Sequence, residues 1–196
     1  MHRFLFSTAL FLLFQLPSWS QTNSDELTLP TPLLKNTISG QFDASDPSHT
    51  GIHFERFAKT QKIKDLYRSH VFEVSSLHML YKAPGISVRG RGFELGIGTR
   101  NYWQKKKPFG IYTENFLTYG NVSVRNADKN FNGTYSYVSL INTNLGYKFL
   151  FKNGLSVDPY VGFNWKWTFK GQGDVDNINV DHFVFKAGIK IGYSFQ

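Results

Sequence analysis

From Ile141 to the last residue the chain alternates apolar and polar side chains with few lapses. Successive residues of a β-strand point to opposite faces of a sheet, so a period of two predicts strands. In the last segment Phe183, Phe185, Ala187, Ile189, Ile191, Tyr193 and Phe195 share one face. Val184, Lys186, Gly188, Lys190, Gly192 and Ser194 share the other. Before it, Leu155, Val157, Pro159, Val161, Phe163, Trp165, Trp167 and Phe169 oppose Ser156, Asp158, Tyr160, Gly162, Asn164, Lys166, Thr168 and Lys170. Earlier still, Ile141, Thr143, Leu145, Tyr147, Phe149 and Phe151 alternate with Asn142, Asn144, Gly146, Lys148 and Leu150.

Upstream the pattern is fainter. Leu34, Ile38 and Phe42 alternate with Lys35, Thr37, Ser39, Gln41 and Asp43, and Ile52 and Phe54 flank His53 in a short second strand. Val71–Tyr81 is strand-like, but Glu73 shares a face with Leu77 and Met79, which predicts a bulge. Phe93, Leu95 and Ile97 alternate with Glu94, Gly96 and Gly98 on the way to Arg100 and Trp103. Phe109 and Ile111 begin another strand opposite Gly110, Tyr112 and Glu114, and Phe116–Val124 has no clear phase. Lys152-Asn153-Gly154 and Gln104–Pro108 read as tight connections, Ala127–Gly133 and Gly171–Asp181 as longer polar loops.

These segments give about eight strands, the size at which side chains fill a barrel's interior. Aromatic residues make up 17% of a chain with low mean hydropathy, which fits a sheet with one greasy and one wet face. The greasy face is rich in Trp, Phe and Tyr, while glycines and lysines alternate on the other. Glycines and lysines suit a crowded lumen and aromatic rings suit interfacial girdles. The expected fold is therefore all-β, an antiparallel up-and-down transmembrane β-barrel of about eight strands. A soluble sandwich or lipocalin-like barrel would instead turn its apolar face inward.

The amino terminus predicts export. His2 and Arg3 precede an apolar run from Phe4 through Leu16, then Pro17 and the small-residue site Ser18-Trp19-Ser20. The division expected is a signal peptide over 1–20, a periplasmic segment over 21–33 and an outer-membrane barrel over 34–196. There are no cysteines, which removes disulfides and thiolate metal sites. The net charge of +8 is compatible with nucleic acid or anionic lipid. Because Lys148, Lys166, Lys186 and Lys190 fall on the predicted lumen face and Lys105–Lys107 in a turn, no nucleic acid is expected.

The ending Ala187–Phe195, alternating and closing on Tyr193 and Phe195, resembles the C-terminal strand of outer-membrane proteins read by the barrel-assembly machinery, with Gln196 added after the aromatic. The blocks Phe54-Glu55-Arg56, Arg100-Asn101-Tyr102, Pro108–Tyr112, Pro159–Gly162 and Gly192–Phe195 resemble small outer-membrane barrels of Bacteroidetes-type bacteria, of the OmpA/OmpX-like kind. That resemblance implies an outer-membrane location and no assigned activity. The partners expected are outer-membrane lipid and lipopolysaccharide, with the assembly machinery during biogenesis and the chain as a monomer.

Two clusters carry residue types suited to chemistry. His70, Glu73, Ser75, Ser76 and His78 contain the residue types of a nucleophile–base–acid set, yet the strand period puts His78 and Ser76 on one face and Glu73 and Ser75 on the other. Asp181 and His182, with Asp174 and Asp176, sit in a loop and faintly resemble the acidic and His pairs of outer-membrane proteases. Asp174, Asp176 and Asn177 suggest calcium, but neither the mid-loop glycine nor the bidentate Glu follows at the needed spacing. Gly90-Arg91-Gly92 and Gly96-Ile97-Gly98 fall within strand periodicity and are not phosphate loops. No catalytic, cofactor-binding or metal-ligating residue is assigned. The function expected is structural or interactive, with a lipid-modifying or hydrolytic barrel enzyme as the alternative.

Overall fold

The computed structural model describes residues 35–57, 67–104, 107–169 and 171–196, with the side chain of Asn177 left out. The expected signal peptide, the segment 21–33, Leu34, Lys105, Lys106 and Lys170 lie outside the described residues.

The strands are β1 (Asn36–Ala44), β2 (Ser48–Phe57), β3 (Tyr67–Ala83), β4 (Ile86–Tyr102), β5 (Gly110–Asn126), β6 (Phe131–Leu150), β7 (Leu155–Thr168), β8 (Gln172–Gly173) and β9 (Phe183–Phe195). Each pairs antiparallel with its neighbour, β7 passes directly to β9, and β9 returns to β1, closing the wall. Eight strands make the barrel, and the two-residue β8 is an appendage on β6. Closure leaves no free edge on the wall, which removes the usual route to strand-to-strand aggregation. An even strand number brings the start of β1 and the end of β9 to one end, here termed proximal. The end of β4, the start of β5 and the 151–154 connection are also proximal, while 45–47, 84–85, 127–130, the end of β7 and the start of β9 are distal.

The alternation read from the sequence is the burial pattern of the strands, with polarity reversed from that of a soluble barrel. Lys190, Glu114, Glu55 and Glu94 face the lumen with no exposed surface. Phe185 is 74% exposed, Val161 57% and Ile52 58%, all pointing outward.

Along the lumen the filling changes character. Phe57, Tyr67, Tyr102 and Tyr112 form a proximal aromatic cluster. Buried charged and polar side chains occupy the middle. A distal apolar cluster includes Leu77, Tyr81, Val122, Val124, Phe131 and Tyr135, with Val175 and Val180 folded in from the 169–182 loop. Strands β3–β6 continue past the β1–β2 turn, so the wall is taller on that side. His49 pairs with Leu77, yet β3 runs on to a tight turn at Pro84-Gly85, where Gly85 takes φ +74°.

This extension corrects the reading of β3. Its pairing with β2 and β4 is unbroken, so no bulge exists there. Glu73, Leu77 and Met79 share the inward face because the lumen turns from polar to apolar at that level. The register shifts lie elsewhere, beside Phe116–Thr118 in the β5–β6 ladder and at Val138–Ile141 in the β6–β7 ladder, and both trace to one extra residue on β6. They leave Leu140 and Ile141 both exposed between inward Ser139 and Asn142. The second strand is also longer than expected, ten residues in place of a short flank around His53.

Candidate functional site

Adjoining strands bring the lumen charges together. A turn centred on Gln104–Pro108 would make Arg100 and Glu114 diagonal neighbours on the inward face; Arg100 on β4 instead stands directly across from Glu114 on β5. Its Nε donates to Glu114 Oε1 at 2.8 Å, and its Nη1 donates to Asp158 Oδ2 at 2.8 Å and Glu55 Oε2 at 3.3 Å. The guanidinium also lies 3.9 Å from the centroid of the Tyr112 ring. Lys148 Nζ donates to Glu55 Oε2 at 2.8 Å and Thr37 Oγ1 at 2.9 Å. Lys190 donates to Glu114, which His53 Nε2 approaches at 2.9 Å. Ser69 and Tyr102 hydroxyls complete the shell of Glu55.

The sequence places Lys148 opposite Asp158, and the flanking pairs Gly146–Tyr160 and Phe149–Val157 agree. The side chains nevertheless exchange partners across the lumen, Lys148 reaching Glu55 while Asp158 takes Arg100. A narrow barrel makes side chains from non-adjacent strands neighbours, which a pairwise register does not reveal. The layer of Arg100, Lys148 and Lys190 against Glu55, Glu114 and Asp158 is charge-balanced. Balance of this kind is required, since removing one partner of a buried pair costs about 3–5 kcal/mol.

A second polar layer lies toward the distal side. His49 Nδ1 is 2.8 Å from Asp43 Oδ1, and its Nε2 is 3.4 Å from Glu94 Oε1. Tyr137 donates to Glu94, Tyr160 to Asp43, and Lys186 to Asn142 Oδ1 at 2.6 Å. Lys166 Nζ donates to the Asp46 carbonyl at 3.3 Å. Glu73 is buried here, and neither of its carboxylate oxygens has a hydrogen-bond partner among the described residues.

Ser45, His49 and Asp43 are the types of a hydrolytic triad, but their geometry differs from one. Ser45 Oγ and Asp43 Oδ1 both approach His49 Nδ1, at 3.3 and 2.8 Å, while Nε2 faces Glu94. A triad needs the hydroxyl and the carboxylate on opposite ring nitrogens. The sequence cluster is divided as expected: His70, Ser76 and His78 point outward, Glu73 and Ser75 inward. In the distal loop, Asp174 accepts from Asn132 N at 2.8 Å and Asp176 from Ile178 N at 3.0 Å. The His182 carbonyl accepts from Lys166 N. These contacts hold the loop together, and no cluster of metal-ligating residues forms among the described residues.

One surface feature was not singled out in the sequence. On the outer face of the β3–β5 extension, Lys82, Arg89, Arg91 and Arg125 are exposed, with His78 directly beside Arg91. Lys129 in the β5–β6 turn donates to the Gly85 carbonyl at 3.0 Å, drawing the two turns together. Toward the proximal end β4 continues outward with Phe93 and Leu95, and β5 passes through Ser123 and Asn121 to Tyr119, so the cations stand beyond the edge of the apolar belt. Alternation within Ile86–Arg91 carried the signal, once Pro84-Gly85 is read as a turn.

No known protein-family signature matches the chain, and no curated protein does. Among solved structures it is similar to Ail, the attachment invasion locus protein of Yersinia pestis, crystallised in complex with the heparin analogue sucrose octasulfate. The two share 12% identity, the match covers 82% of this chain and 97% of Ail, and the TM-score is 0.44.

Proposed function

We propose that this chain is an exported outer-membrane β-barrel protein with a structural or interaction role. The observation that carries this is the outward ring of exposed Phe, Trp, Leu, Ile and Val around a lumen of buried charges. In water, each large apolar side chain left exposed forfeits roughly 1.5–3 kcal/mol of burial. In a bilayer the same ring faces hydrocarbon, and closure of the sheet satisfies the backbone. Residues 1–20 act as the signal peptide, and blocks such as Arg100-Asn101-Tyr102 and Gly192–Phe195 support a kinship with the Bacteroidetes-type small barrels by resemblance.

The proximal end then faces the periplasm, with Trp103, Phe109, Phe149 and Phe151 as its aromatic girdle. Trp165, Trp167, Phe169, Phe183 and Phe185 form the outer girdle. The cationic face of the extension meets the phosphates of lipopolysaccharide in the outer leaflet. The outward aromatic rings Tyr193 and Phe195 on β9 serve recognition by the assembly machinery.

Cysteine labelling of intact cells tests the orientation. Ile178→Cys, in the distal loop, should react with an impermeant reagent, whereas Lys107→Cys should react only after the outer membrane is opened. The reverse pattern inverts the topology. Recovery of the chain in the soluble fraction overturns the membrane assignment.

A further inference from the structure

The outward belt is not uniform around the barrel. On β7 and β9 every outward side chain from Leu155 to Trp167 and from Phe183 to Phe195 is apolar or aromatic. On β4, β5 and β6 the belt is interrupted. Thr99 and Asn101 lie between Ile97 and Trp103, Thr113 and Asn115 between Ile111 and Leu117, and Thr143 between Leu145 and Ile141. Apolar residues on both sides along each strand place these polar groups inside the belt, not at its margin.

The register gathers them into one patch. Thr99 pairs with Asn115 and Asn115 with Thr143, while Asn101 pairs with Thr113 in the next row. Thr143 Oγ1 donates to Asn115 Oδ1 at 2.7 Å, and Trp103 Nε1 approaches Thr113 Oγ1 at 3.4 Å. Among the described residues no bond is made by the Asn115 amide N–H groups or by the Thr99 hydroxyl. A shallow groove of about 470 Å³ runs beside them, lined by His70, Ile97, Thr99, Asn115 and Leu117.

We propose that this patch is the contact surface between two copies of the chain within the membrane. The inference rests on the outer-membrane reading. Acyl chains offer an amide no partner, and an unsatisfied polar group in hydrocarbon costs several kcal/mol. A second copy supplies partners, because Thr and Asn each donate and accept; the one cation bonded to the patch, Arg68, is confined to its β3 edge, where its Nε donates to Asn101 Oδ1 at 2.8 Å. A two-fold interface sets the same surface on both sides, so a self-complementary patch is what such an interface requires. The uninterrupted apolar wall of β7 and β9 stays toward lipid.

The chain has no cysteine, so single-cysteine variants report unambiguously. Thr99→Cys in native outer membranes should give a dimer-sized product with a short bifunctional thiol reagent, and Val161→Cys should not. Adding Asn115→Leu and Thr143→Val should lower that product by roughly tenfold, the scale of one or two membrane hydrogen bonds. A circular-dichroism spectrum of the purified variant checks that it retains its β-structure. The proposal is overturned if Thr99→Cys yields no more product than Val161→Cys, which is the monomer expected from the sequence. A product containing a different protein overturns it in favour of an unlike partner. A chain found outside the membrane fraction defeats the outer-membrane reading, and this inference with it.

Discussion

Arg100 and Glu114 face each other across the β4–β5 ladder, with the guanidinium Nε 2.8 Å from the carboxylate. Glu114 also holds Lys190 and His53, so it joins side chains from four strands. Glu114→Ala should therefore destabilise the refolded barrel by about 3–5 kcal/mol, because two buried cations lose their counter-charge. Adding Arg100→Met should restore part of that loss. Urea unfolding in detergent micelles measures both, and strict additivity would show that the two residues do not act as a pair.

The outward wall makes the opposite demand. Arg introduced at Leu145, Val161 or Ile189 should cost roughly 2–4 kcal/mol in bilayers, where it meets hydrocarbon. Ile178, 88% exposed in the distal loop, should accept Arg with little effect. Equal effects at all four sites would mean the belt does not face lipid.

Gly120 lies under the ring of Tyr137. A Cβ there would fall 2.5 Å from Tyr137 Cε1 and 2.6 Å from its hydroxyl. Gly120→Ala should cost about 1–3 kcal/mol by overpacking. In a Tyr137→Leu background the same change should cost markedly less, and equal costs in both backgrounds would show that the ring is not what the methyl strikes. Thermal unfolding of the four proteins in the cycle measures the coupling.

Val175 is 4% exposed, seated in the distal apolar cluster, while the Asp176 backbone N donates to the Tyr81 hydroxyl at 3.0 Å. Val175→Asp should release the 169–182 loop without opening the barrel. Limited proteolysis should then cut within that loop and leave the β-sheet circular-dichroism signal unchanged. Loss of that signal would mean the cap contributes to global folding.

The fold was legible where one period of two ran through a strand with a uniform lumen. In β7 and β9 every lumen position is polar or glycine apart from Tyr160 and Val184, so the faces read themselves. β3 defied the same reading because one inward face carries Glu73 and Ser75 below Leu77, Met79 and Tyr81. The change of solvent within the lumen scrambles polarity without disturbing geometry. In β6 a real bulge puts Leu140 and Ile141 on one face, whereas β5 alternates without a break and its phase was obscured by apolar Phe116, Val122 and Val124 facing the lumen. Of the lumen site, the inward direction of Lys148, Lys166, Lys186 and Lys190 followed from sequence. Their partners did not, since Lys148–Glu55 is a contact across the lumen.

Among the described residues, the buried cations Arg100, Lys148, Lys166, Lys186 and Lys190 are outnumbered by the carboxylates of Asp43, Glu55, Glu73, Glu94, Glu114 and Asp158. The net charge of +8 is therefore not stored in the lumen. The inner ion pairs are shielded from dissolved salt, whereas exposed charges are screened beyond about 10 Å at 0.1 M ionic strength. Salinity thus acts on this protein selectively. A rise in salt weakens what its exposed cations attract and leaves the barrel's own cohesion nearly untouched, so its outer charges and its inner framework answer to different properties of the surrounding water.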